Sequence, residues 1–249
     1  MQTLIITSAV FVNSNLTVLT DPALREQQYA DSILFYLQTK NISRIIVCDN
    51  SGFDFSLNGS LAALAKANGK ALECLSFPGN KDLVKAKGKG YGEGEIMDYV
   101  FRNSKLLKEA PGFFKVTGRV RVLNIDRLIT HIHPGIDYFQ RTRVIPLGDT
   151  YWNAVDTRLY YCTREVFSRY LQDAYGNVDD QGGYYLEHAY YARLAGNMIP
   201  WESFKVFPRY SGISGSTGKT YAAAPVKWQI QRIIYSFVRI FLPVKRNKK

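Results

Sequence analysis

Short β-branched runs alternate with longer stretches of helical period along the first half of the chain. Residues 4–12 form an apolar run that predicts a buried first strand. Thr20-Asp21-Pro22 supplies a helix start, and Leu24, Tyr29, Ile33, Leu34 and Leu37 give that helix a buried face as far as about Lys40. Residues 44–48 read as a second strand, 60–68 as a helix stopped by Gly69, and 71–77 as a third strand. Strand–helix–strand alternation of this kind predicts a mostly parallel sheet with right-handed crossovers.

A helix over 96–108 leads into residues 113–124, where Phe114, Val116, Val120, Val122 and Ile125 alternate with polar positions. In an unbroken pleat Lys115, Arg119 and Arg121 share one side of that strand, and three neighbouring cations call for an anion or for solvent screening. Beyond it the pattern predicts a strand at 152–161, an amphipathic helix at 164–175, a turn at 179–183 and a helix carrying Tyr184, Glu187, His188 and Arg193. The last helix starts at Pro225. Ile230, Ile233, Ile234, Phe237, Val238 and Phe241 form one stripe, opposed by Gln229, Arg232, Ser236 and Arg239, until Pro243 ends it.

The expected fold class is therefore α/β, a single Rossmann-like domain over residues 1–210 with a mostly parallel central sheet. A mobile loop and a basic amphipathic helix follow at 211–249. Apolar residues make up 46% of the 249 and charged residues 21%, ordinary values for a globular chain with a sizeable core.

Charge changes this picture in one place. Residues 203–249 contain ten Lys or Arg and no acid, while residues 1–202 carry 22 basic against 21 acidic side chains, a net of +1. A nearly neutral body argues against nucleic acid as the partner, and a local basic cluster (Lys245, Arg246, Lys248, Lys249) beside an amphipathic helix points to an anionic membrane surface. Cys48, Cys74 and Cys162 are isolated and read as reduced thiols, which with the absence of a basic, apolar leader predicts a cytoplasmic protein, peripheral on the inner face of the cell membrane.

Several stretches carry candidate chemistry. Asp49-Asn50-Ser51 follows the second strand, where ligands collect in open α/β sheets. Arg25 lies near the start of the first helix, where anions are favoured. Residues 85–95 include Lys89, Gly90 and Glu93 and place four glycines between Gly88 and Gly94, the composition of a loop whose amides approach a ligand. His131 and His133 lack a suitably spaced third ligand and read as structural. Residues 211–220 mimic a P-loop but have one residue too many between Gly212 and Gly218, which leaves a small-residue loop whose Lys219 is suited to fold over a phosphate.

With these pieces placed, residues 1–210 resemble a GT-A-type glycosyltransferase, similar to enzymes encoded in bacterial capsule and lipopolysaccharide clusters. The resemblance is one of layout. On that layout Asp49, Asn50, Ser51, Lys89, Gly90, Glu93, Lys115, Thr117 and Gly118 fall to the nucleotide-sugar donor, to which Arg25 and Lys219 are added from their own places at the helix start and in the small-residue loop. The resemblance gives Glu187 the part of catalytic base, with Asp179 or Asp180 in reserve, and puts Asp156, Asp179, Asp180 and His188 on the acceptor side. Members of that family hold a divalent metal, Mn²⁺ or Mg²⁺, on an Asp-x-Asp motif. Here Thr117-Gly118-Arg119 stands in its place, so Arg119 is expected to replace the metal as a catalytic cation, helped by Lys115 or Lys219. The implied reaction is inverting transfer from a nucleotide sugar to a glycan or lipid-linked glycan. A non-catalytic membrane-surface module that binds sugar nucleotides is the alternative. A sugar-nucleotide-forming nucleotidyltransferase shares related architecture but calls for a Gly-rich signature near the N-terminus that is missing here.

Overall fold

Asp21 accepts from the Leu24 amide at 2.9 Å and Pro22 occupies the first turn, so helix α1 (Pro22–Leu37) begins where the sequence predicts. It lies between strands β1 (Gln2–Ser8) and β2 (Ile42–Asp49), which pair in parallel. Helix α2 (Gly59–Ala67) then leads to β3 (Ala71–Ser76), parallel to β2. The computed structural model describes residues 2–12, 17–141, 153–214, 218, 220–221 and 225–241. Lys219, Trp152 and the basic run 245–249 lie outside the described residues, as do the side chains of Val238 and Phe241.

The remaining elements are α3 (Lys81–Lys87), α4 (Lys89–Asn103), α5 (Lys105–Lys108), β4 (Gly112–Thr117), β5 (Val120–Val122), α6 (Ile125–Ile129), β6 (Asp137–Arg141), β7 (Val155–Thr163), α7 (Arg164–Val166), α8 (Leu186–Gly196), β8 (Trp201–Glu202), β9 (Tyr210–Gly212) and α9 (Pro225–Phe241). Among the described residues the main sheet has seven strands in the order β3-β2-β1-β4-β7-β6-β8. Strands β3, β2, β1 and β4 are parallel, and β7 runs antiparallel between β4 and β6. This is the α/β architecture with a mostly parallel sheet that the alternation predicted.

Both faces of the sheet are buried, and alternate residues of a strand serve different cores. Leu4 and Ile6 pack with Ile33, Tyr36 and Phe114 on the α1 side, while Ile5 packs with Met97, Val100, Tyr160 and Tyr190 on the side of α4 and α8.

Three expectations need correction. The predicted strand 113–124 is two strands, broken after Thr117. At the break the Gly118 amide donates to the Thr7 carbonyl at 2.9 Å, and a Cβ on Gly118 would stand 2.3 Å from that oxygen. Gly118 thus permits a close approach to β1 rather than to a ligand. The break removes the shared face: Lys115 turns into the core, Arg119 toward α1, and Arg121 reaches Ser211 on β9, which pairs with β5.

The glycine-rich segment is not a loop. Residues from Lys89 onward are helical, and the helix ends at Asn103 rather than Lys108. Gly costs a helix about 1 kcal/mol relative to Ala, but here the small residues make room. A Cβ on Gly92 would meet the Asn50 side chain at 3.0 Å, and one on Gly94 would sit 2.1 Å from Tyr175 Cβ. Packing of Ile96, Met97 and Val100 fixes the helix against the sheet.

The helix expected over 164–175 is instead one turn of α7, a π-type turn over Phe167–Leu171, and a 3₁₀ turn over Ala174–Asn177. The wider turn accompanies complete burial of both Phe167 and Leu171.

Candidate active site

Strand order reverses direction between β1 and β4, and in open α/β sheets the crevice beyond the carboxyl ends of such strands is where ligands bind. A cavity of about 720 Å³ opens there. Ser8 at the end of β1 and Ala9 after it, Asn50 beyond β2, and Thr117 at the end of β4 with Arg119 after it line it. Because β7 is antiparallel, its first residues arrive at the same end, adding Asp156, Thr157 and Arg158. The start of α4 contributes Lys89, Gly90 and Glu93, and the start of α8 contributes Leu186 and Glu187. Arg119 and Glu187 therefore share one cavity.

Arg119 is 8% exposed, and its guanidinium lies over the Tyr29 ring, 5.7 Å from the centroid. Its Nη1 donates to Gln28 Oε1 at 3.3 Å, while its buried Nε has no hydrogen-bond partner and no carboxylate pairs with it among the described residues. A buried cation without an acid is costly unless an anion completes it. Arg25 stands on the same tyrosine but is already committed: its nitrogens donate to the carbonyls of Ala9, Val10 and Leu19. It shapes the loop between β1 and α1. Burial lowers the Arg25 guanidinium from its ordinary value, and Arg119 nearby adds to that.

Glu187 sits in the first turn of α8 and accepts from Thr157 Oγ1 at 3.0 Å. Burial pushes its carboxyl above the ordinary 4.5, and the charges of Glu93 and Asp156 push the same way, against hydrogen bonds from its own backbone amide and from Thr157. Asp180 is likewise raised by burial. One of its oxygens accepts from the Gly90 amide at 2.9 Å, and the other is buried without a partner. Burial works to raise Asp156 too, but Arg158, bonded to both its oxygens, holds it below its ordinary range. Arg158 also lies over the rings of Tyr210 and Tyr221, at 4.5 and 5.3 Å from their centroids.

Other predicted residues are placed elsewhere. Asp49 is fully buried and serves its own loops, accepting from Ser8 Oγ, from the Val10, Ser51 and Phe53 amides, and from Ser51 Oγ. Ser51 in turn accepts from the Phe11 amide, so neither side chain lines the cavity. Lys115 is 0% exposed and ion-paired with Glu93, so its charge is neutralised inside the protein, and of the pair only Glu93 reaches the cavity wall. Asp179 caps the Gly182 amide, His188 accepts from the Tyr185 amide, and Arg193 pairs with Asp173; none of the three lines the cavity. Lys219 lies outside the described residues. Among these residues no group of three or more His, Cys, Asp or Glu side chains is arranged to hold a metal.

Sequence reasoning missed Arg158, Thr157, Tyr185 and Tyr221 on the cavity wall. Arg158 belongs to the strand expected over 152–161, but its place at the cavity depends on the direction of β7, which no local pattern encodes.

No protein-family model matches the chain, and no curated protein matches it in sequence. Among solved structures it is similar to HddC from Yersinia pseudotuberculosis, with 12% identity and a TM-score of 0.33 over 68% of this chain and 80% of that one. It is also similar to a CMP:2-keto-3-deoxy-manno-octonic acid synthetase complexed with CTP, with 12% identity and a TM-score of 0.43 over 95% of this chain and 99% of that one. Likeness at this level bears on neither substrate nor reaction.

Proposed function

We propose that the chain is a glycosyltransferase that moves a sugar from a nucleotide-activated donor to a glycan acceptor with inversion at the anomeric carbon. The observation that carries this reading is that one cavity is shared by a buried arginine with no acid partner among the described residues and a half-buried carboxyl raised above its ordinary range. The donor diphosphate would satisfy Arg119, with Lys89 also lining the cavity. The Glu187 carboxylate would take the proton of the acceptor hydroxyl as its oxygen bonds to the anomeric carbon. The bond from that carbon to the diphosphate breaks as the new bond forms on the opposite face, and the charge gathering on the leaving oxygen falls to Arg119. The GT-A resemblance in layout supports the role of Glu187, while Arg119 stands where that family carries its metal motif. On this reading the acceptor is a glycan carried on a lipid at the inner face of the cell membrane, in keeping with the basic run 245–249.

A panel of nucleotide sugars tested for thermal stabilisation identifies the donor, because a ligand bound only by the folded state raises apparent stability. Arg119→Met should abolish that stabilisation, and Glu187→Gln should retain it. Transfer assays run with a chelator and then with Mn²⁺ check the role of Arg119. Turnover lost to the chelator and restored by Mn²⁺ would show that a metal, not Arg119, takes the leaving charge.

A further inference from the structure

Helix α9 is held to the body by one side. Tyr235 is 3% exposed, and its hydroxyl reaches Gln140 Oε1 at 2.9 Å and the Phe204 carbonyl. Trp228 Nε1 donates to the Pro208 carbonyl at 3.4 Å, and the indole lies beneath Arg209 and Arg232. At the helical period Trp228, Arg232 and Tyr235 fall together, and Val226, Ile230, Ile233 and Phe237 fall on the opposite side. Those four are 71%, 53%, 52% and 62% exposed. The stripe cannot turn inward without releasing Tyr235, so it is presented outward as a continuous apolar face.

Charge selects what covers it. Residues 203–249 carry ten cations and no acid, including Lys227, Arg232 and Arg239 within the helix and Lys245, Arg246, Lys248 and Lys249 after it. A second copy packed stripe to stripe would bring two such sets together and repel itself. An anionic surface with an apolar layer beneath attracts both features at once. Among the described residues no helix is long and apolar enough to cross a membrane. We infer that α9 lies in the plane of an anionic lipid bilayer, with Val226, Ile230, Ile233 and Phe237 at the boundary between headgroups and acyl chains. Tyr221 lines the cavity just before the helix begins at Pro225, so the lipid surface stands a few residues along the chain from the site. If the proposed glycosyl transfer holds, that proximity assigns a lipid-carried acceptor, whereas lipid docking itself does not rest on that reading.

Sedimentation of the full chain with vesicles tests it. Binding is expected to phosphatidylcholine vesicles containing phosphatidylglycerol, weakening as salt screens the headgroups, and not to phosphatidylcholine alone. The Ile233→Asp/Phe237→Asp variant should bind the anionic vesicles more than about tenfold more weakly, with an unchanged melting temperature in the absence of lipid. A single Ile230→Asp variant provides the same reading should the double variant melt early. Equal binding by the variants, no binding to either vesicle, or a lipid-free dimer dissolved by the same substitutions would overturn the inference. Sedimentation requires no turnover, so its failure leaves the glycosyl-transfer reading intact, and a failed transfer assay leaves docking intact.

Discussion

Lys115 and Glu93 form an ion pair at the cavity wall, joining β4 to α4. The ammonium also donates to the Thr157 carbonyl at 2.7 Å and to Thr117 Oγ1 at 3.1 Å, so its donors are satisfied although the side chain is 1% exposed. The pair lies beside Glu187, where an unneutralised Glu93 would repel the proposed base.

Lys115→Met should therefore cost about 3 kcal/mol or more in denaturant unfolding, because it leaves the Glu93 charge without its partner. Lys115→Met with Glu93→Gln should recover part of that loss. A single variant as stable as the parent would mean that the pair carries no structural load.

The parts of the fold that were legible in the sequence depend on local pattern. The β1–α1–β2–α2–β3 alternation and the Ile230, Ile233 and Phe237 positions of the α9 stripe follow from apolar period, and Asp21 with Pro22 marks a helix start by its own chemistry. What was not legible depends on distant partners. The glycines of α4 look like a loop until Asn50 and Tyr175 are seen filling the space beside them. The break at Gly118 is set by the Thr7 carbonyl, and β5 finds its partner in β9, far along the chain. For the site, an acid at a strand end can hold a ligand or its own loop, and Asp49 does the second.

Asp49 makes that distinction measurable. Its two oxygens gather donors from the loops after β1 and β2. Asp49→Asn turns one acceptor into a donor facing other donors, and should cost about 2 kcal/mol or more in stability. Residual folded protein should still bind donor, since Asp49 does not line the cavity. A fully stable variant that fails to bind donor would return Asp49 to the site.

Gly94 tests the packing account of the glycine run. A methyl group there would overlap Tyr175, whose Cβ is too close to its own backbone to move alone. Gly94→Ala would gain about 1 kcal/mol in helix propensity on an exposed helix. Here it should instead lower the melting temperature, and Gly94→Ala with Tyr175→Gly should restore part of the loss. A more stable single variant would show that the run is loose.

Glu187 ties pH to both activity and stability. Burial, followed by the Glu93 and Asp156 charges, raises its carboxyl above 4.5, so transfer should increase with pH through an inflection above that value as the base ionises. The stability term has the opposite sense. A carboxyl that binds its proton more tightly when folded contributes most below its unfolded value, and that contribution is lost as pH rises through the folded value. Glu187→Gln carries no such loss, so its stability relative to the parent should improve from acid to neutral pH, while turnover falls about 10²-fold or more. Melting curves and initial rates across one pH series report both. A variant that keeps full turnover removes Glu187 as the base, and one that loses stability relative to the parent as pH rises contradicts the burial argument.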